Sequence, residues 1–173
     1  SMKMCRSGVK NMCKTGQKPA SPMTYLLTAG NSGTAAVIKN LTLENAAIND
    51  TNSTDSGKLG LLVSRASDSL TIEDCYVTGS ITTTSKPYMD VGGLVGQAQG
   101  ANVTISRCYA GVTFKGGHDN SLFGGLVGSC KGGIIENCYA IPDMTRVTAG
   151  HCGGITSSTG GTIQNCYAAS AAF

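Results

Sequence analysis

The stretch GGLVGSCKGGIIENCYA, Gly124 to Ala140, decides the fold, because the chain says nearly the same thing three more times. Residues 60–77 read GLLVSRASDSLTIEDCYV, residues 92–110 read GGLVGQAQGANVTISRCYA, and residues 153–168 read GGITSSTGGTIQNCYA. Aligning Leu62, Leu94, Leu126 and Ile155 gives steps of 32, 32 and 29 residues. Aligning Cys75, Cys108, Cys138 and Cys166 gives steps of 33, 30 and 28. Two landmarks agree on one period, and a fixed period of this size is the signature of a repeat architecture. A degenerate copy precedes them: VIKNLTL (Val37 to Leu43) matches TIEDCYV, with Leu41 in the cysteine place and Leu26-Leu27 standing for the glycine-strand pair.

Each copy holds short strand-like runs divided by turn residues, and none has helical apolar spacing. In one copy the runs are Gly92–Gly96, Val103–Ala110 and Gly111–Phe114. A propeller blade needs four strands and about 40 residues, more than one copy supplies. The pattern predicts an all-β parallel β-helix, right-handed, of about five coils with three short strands per coil. Each coil buries its inner face against the next.

Alternation along a strand assigns the faces. Cys75, Val77, Gly79 and Ile81 point inward, as do Cys108, Ala110, Val112 and Phe114. The tyrosines that follow the cysteines, Tyr76, Tyr109, Tyr139 and Tyr167, then point outward in one row. Ile72 and Cys75 are both apolar yet three apart, as are Ile105 and Cys108, so the period of two breaks between them. A corner or bulge there places Asn40, Asp74, Asn137 and Asn165 at a bend that Asx side chains tolerate. Arg107 departs from the pattern and predicts a different bend in its coil. The glycine pairs at 92–93, 124–125 and 153–154 mark strand entry, where positive φ or close backbone contact excludes a side chain.

The chain has 173 residues and only 13% charged side chains, about half the globular norm of roughly 25%. No run of 18 apolar residues is present, so no membrane-spanning helix is expected. The opening SMKMCRSGVKNMCKTGQ lacks the apolar core of a signal peptide, and its Ser-Met start reads as partly vector-derived. Residues 1–43 carry six basic groups and no acid. Residues 1–23 are read as a basic leader or N-terminal cap, and 24–173 as a single β-solenoid domain. The basic charges are spread out without interleaved aromatics, so nucleic acid is not an expected partner.

Eight cysteines suggest a disulfide framework, but four of them occupy one repeat position. Cys75, Cys108, Cys138 and Cys166 should stack inside as a core ladder. Parallel coils lie about 4.8 Å apart, whereas disulfide Cβ atoms sit about 3.8 Å apart. Free thiols acting as small hydrophobes are therefore expected. No Cys-x-x-Cys is present and an inward stack lacks tetrahedral geometry, so no metal is expected. Cys5 and Cys13 are left between a mutual disulfide and free thiols. Cys130 and Cys152 fall outside the ladder, as core or turn residues.

Phosphate-loop, zincin and nucleophile-elbow motifs are lacking, and no cofactor is expected. His118 and His151, with Asp90, precede glycine strands in neighbouring copies, where a metal or acid–base site would need them to converge. Ten acidic residues are scattered along the chain, unlike the clustered carboxylates of a polysaccharide lyase or glycosidase. No catalytic residue is assigned.

The GGLVG runs at 92–96 and 124–128, with weaker GLLVS at 60–64 and GGITS at 153–157, resemble the GLUG repeat. The downstream I-x-N-C-Y-A segments at 135–140 and 163–168 are similar to the same family. The resemblance covers residues 57–170 and implies a non-catalytic β-solenoid segment of a secreted or surface-attached bacterial protein. Its role would be adhesion, ligand display or a spacer. The alternative is a carbohydrate-active enzyme on the same fold. Partners expected are a glycan or a host or cell-surface protein, met by the tyrosine row. Exposed strand edges at the two ends predict end-to-end self-association or a neighbouring domain.

Overall fold

The computed structural model describes residues 28–29, 35–50, 57–84 and 87–170. It is a parallel β-helix. Every strand pairing is parallel, and the strands sort into three faces running along the stack. The glycine face holds Lys58–Gly60, Asp90–Gly92, Leu122–Gly124 and His151–Gly153. The long face follows it in each coil. Val63–Glu73 and Val95–Ser106 are continuous there, while later coils divide it into Val127–Cys130 with Ile134–Glu136 and Thr156–Thr159 with Thr162–Gln164. The tyrosine face holds Thr42–Asp50, Tyr76–Thr83, Tyr109–Gly116, Tyr139–Val147 and Tyr167–Ala168.

The degenerate copy takes its expected place. Ala36–Lys39 pairs with Leu70–Glu73, setting Ile38 beside Ile72, and Thr42 lies beside Tyr76. Leu26-Leu27 and the leader through residue 23 lie outside the described residues, as do Cys5 and Cys13. We number the coils one to five, the first carrying Thr42–Asp50 and the last Tyr167–Ala168. Four strands on the glycine face and five on the tyrosine face give about four turns.

Strand boundaries differ from the sequence expectation. In the third coil the break does not fall after Ala110. The long-face strand runs from Val95 to Ser106 and the next begins at Tyr109. The corner between them is a single residue with positive φ, and it recurs in every coil. Asn40, Asp74, Arg107, Asn137 and Asn165 have φ of 55°, 52°, 51°, 53° and 51°. Arg107 thus bends as its neighbours do, against the expectation of a different bend. Its backbone is held by the same hydrogen bonds as theirs: Asp74, Arg107 and Asn137 N–H groups donate to the carbonyls of Ser106, Glu136 and Gln164, each at 3.2 Å. Two repeated bonds per step over-determine the conformation, so a residue without Asx chemistry is tolerated there.

The turn from the glycine face to the long face is built by close approach. A Cβ on Gly92 or Gly124 would collide with the carbonyl oxygen of Val95 or Val127, three residues on. Leu62, Leu94 and Leu126 follow and are fully buried. The core then fills by columns. Ile72, Ile105 and Ile135 stack on the long face, and Leu59, Val91 and Phe123 on the glycine face. Phe123 meets Phe114 edge-on at 5.9 Å, tying the glycine face to the tyrosine face.

The corner sets a clear expectation. Asn137→Val places a β-branched residue at φ 53° and should cost about 1–2 kcal/mol, whereas Asn137→Gly should be near neutral. Urea unfolding of the two variants reads the difference; equal stabilities would contradict the account of the corner.

Candidate functional site

Two ladders flank each corner, one inward and one outward. The inward ladder is Cys75, Cys108, Cys138 and Cys166, of which the first three are buried and the last half-buried. All six described cysteines are free thiols. The ladder sulfurs do more than fill space. Each Sγ lies 3.1–3.3 Å from a carbonyl two residues back, on Glu73, Ser106, Glu136 and Gln164. Each also lies 3.6–3.8 Å from an isoleucine carbonyl of the preceding coil, on Ile38, Ile72, Ile105 and Ile135. A thiol is a weak donor, and here each one lies near carbonyls of its own coil and of the preceding coil. The sequence reading assigned these residues only as apolar filler.

The thiols also interact along the stack. The Cys108 backbone N–H donates to Cys138 Sγ at 3.4 Å. Hydrogen bonds with Cys138 and Cys75, then burial, push the Cys108 thiol well above its usual range. The same contact with Cys108 favours the thiolate of its neighbours, drawing Cys75 down to about 7 and lowering Cys138. Burial raises Cys130, which closes a long-face strand with its Sγ 3.3 Å from the Gly132 carbonyl. Cys152 is exposed, although it stacks on Phe123 in the inward column.

The outward ladder is the tyrosine row. Tyr76, Tyr109, Tyr139 and Tyr167 are in register across four coils. Ring centroids step by 4.5, 5.6 and 5.2 Å, with interplanar angles of 16°, 37° and 7°. Tyr109 lies down along its own strand, over Gly111, where a Cβ would sit 2.5 Å from the Tyr109 hydroxyl. Burial and the flanking Tyr76 and Tyr139 raise its pKa. The ring faces are thus largely occupied by one another. What the row presents is ring edges, hydroxyls and the outer face of Tyr167 (63% exposed), while Thr42 of the first coil stands in register beside Tyr76 (40% exposed).

Charged groups near the corner are paired. Arg107 Nε and Nη2 donate to Asp74 at 2.7 and 3.0 Å, and Nη2 donates to Glu73 at 2.9 Å. Lys39 lies 3.9 Å from Glu73. The guanidinium holds the Asp74 carboxyl below its usual range. Glu136 accepts from Gln164 at 2.7 Å.

The histidines do not converge with Asp90. His151 pairs in register with Leu122, which pairs with Asp90, so two coil steps separate them. His118 Nδ1 accepts the Asn120 N–H within its own turn at 3.2 Å. Among the described residues no three His, Cys, Asp or Glu side chains gather as a metal site. Asp90 instead belongs to a buried link that sequence reasoning missed. Gln97 Nε2 donates to Asp90 Oδ2 at 2.6 Å, and Lys58 Nζ lies 3.5 Å from the same oxygen. This joins the glycine face to the long face across the turn. Its sequence signal is a charged residue two positions before the strand-entry glycine, Lys58 before Gly60 and Asp90 before Gly92.

The fold and the two ladders define a repeat-built β-solenoid. No family model, curated protein or solved structure matches the chain. Among the described residues no helix is long and apolar enough to cross a membrane.

The thiol geometry predicts that alkylating reagent added to the native protein labels Cys152 and spares Cys75, Cys108, Cys130 and Cys138, all of which react after unfolding. Peptide mapping reads the labels; disulfides between successive ladder cysteines would contradict the inward stack.

Proposed function

We propose that the chain is a non-catalytic β-solenoid segment of an extracellular or cell-surface bacterial protein, acting in adhesion, ligand display or as a spacer. The observation that carries this is the outward tyrosine row, held in register on a stack of parallel coils. Such a row offers hydroxyl donors and acceptors at a spacing of one coil, with an aromatic face on Tyr167 at one end. Amphipathic rings of this kind suit a sugar or a protein surface. The GLUG-like runs at 92–96 and 124–128 support the same assignment.

The alternative of a polysaccharide lyase or glycosidase has less behind it. A glycosidase acid must hold its proton near neutral pH. Asp74 is instead drawn down by Arg107, and Asp143 by its hydrogen bonds from Thr145. Both environments favour the ionised form.

The terminal rings separate binding from packing. Tyr76→Ser and Tyr167→Ser each remove one ring stack, worth about 0.5–1.5 kcal/mol, and leave the Tyr109–Tyr139 pair in place. On a glycan array and in binding to whole cells, the double variant should lose binding while its melting temperature falls only modestly. Binding that persists undiminished per folded molecule would overturn the tyrosine row as the working surface.

A further inference from the structure

The turn that joins the glycine face to the long face carries a buried polar trio. Asp90 is 7% exposed and Gln97 is 1% exposed. Lys58, in register with Asp90 from the preceding coil, is only partly exposed. Their chain neighbours Leu59, Val91 and Ala98 are at most 1% exposed, so the trio sits in dry surroundings. One oxygen organises it. Asp90 Oδ2 accepts the Gln97 Nε2–H at 2.6 Å and lies 3.5 Å from Lys58 Nζ. At the other end of the same amide, Gln97 Oε1 is buried with no hydrogen-bond partner.

Packing alone leaves this arrangement unexplained. An ion pair in a dry site gives up hydration that its attraction seldom fully returns. A buried carbonyl without a partner is rare and asks for a reason. What the trio does supply is an amine, an amide, and a carboxylate between their two nitrogens. Acyl transfer from one nitrogen to another needs this set: a base for the attacking amine and an acid for the departing one. Asp90 Oδ2 is within reach of both nitrogens, so one atom serves both steps. The lysine stem is flexible, so the amine can close on the amide without moving either strand.

We propose that Lys58 and Gln97 join through an intramolecular isopeptide bond, with Asp90 carrying the proton. Asp90 takes a proton from the Lys58 ammonium. The free amine attacks Gln97 Cδ; the Nζ–Cδ bond forms and the Cδ–Nε2 bond breaks. Of the three ammonium protons, one passes through Asp90 to Nε2, one stays on the new amide, and one leaves with the ammonia as ammonium. Asp90 ends as a carboxylate, and the step needs neither oxidant nor cofactor. Exclusion of water favours the amine over hydrolysis of the same amide. Coils of a solenoid hold only their neighbours, and this bond ties the second coil to the third. The proposal stands apart from the surface role, because its readout is covalent structure.

The test is the mass of the purified full chain in denaturing solvent, followed by peptide mapping. The chain should be lighter than its sequence by one ammonia. Trypsin should fail to cut after Lys58, and the digest should hold a branched peptide joining Lys58 to Gln97. Lys58→Arg keeps a cation beside Asp90 but has no amine to acylate. Asp90→Asn keeps the size of the side chain but carries no proton. Both variants should show their full sequence mass and no branched peptide, with the β-sheet circular dichroism retained. The mass of the unmodified chain decides the outcome even where a variant fails to fold. A chain at its full sequence mass would overturn the proposal. So would a loss of ammonia that maps elsewhere, such as ring closure at an asparagine, or a loss of water that joins Lys58 to Asp90. A branched peptide that forms equally well in Asp90→Asn would overturn the proton transfer assigned to Asp90.

Discussion

One residue per coil held at positive φ is the constraint from which the rest follows. At φ near 50° the chain turns from the long face to the tyrosine face within a single residue. An L-residue adopts this conformation at a cost of roughly 1–2 kcal/mol, reduced for Asn and Asp. The cost is offset by stacking. The corner N–H groups of Asn40, Asp74, Arg107 and Asn137 each find a carbonyl in the coil above, and the N–H groups of Tyr76, Tyr109, Tyr139 and Tyr167 each find one in the coil below. The cysteine between them turns inward and places its sulfur near carbonyls of both coils. The Asx-Cys-Tyr triplet is therefore one device with three parts: a bend, an inner clamp and an outer brace.

The same device explains why the tyrosines behave as they do. Parallel register puts identical residues one coil step apart, close to the spacing at which aromatic rings stack. The rings consequently meet one another before they meet anything else, and Gly111 leaves room for Tyr109 to lie flat. A binding surface on this face must work through hydroxyls, edges and the terminal rings.

The period and the identity of the corner column were legible because they rest on residues with narrow conformational roles: the glycine pair, Asn or Asp at the bend, and cysteine and tyrosine in fixed order. The inward and outward assignment of Cys75 and Tyr76 followed from strand alternation alone. Arg107 was misjudged because its local preference is overridden by hydrogen bonds from both adjacent coils. Its side chain has a different task, joining Asp74 and Glu73 of the coil below. The buried Asp90–Gln97 link was not visible, since seven residues and a turn separate the pair and only the folded turn brings them within 2.6 Å. His118 and His151 do not meet Asp90 for a related reason. Neighbouring positions in successive copies are held one coil apart by the register, and residues in alternate copies two coils apart.

Residue-resolved amide hydrogen exchange tests the central role of the corner most directly. Residues with positive φ ordinarily lie in exposed turns whose amides exchange quickly. Here the amides of Asp74, Arg107 and Asn137 should be protected to nearly the free energy of global unfolding, alongside those of Tyr109 and Tyr139, because each closes a coil step. Corner amides that exchange as fast as those of the 118–120 turn, while the strands on either side stay protected, would contradict the account.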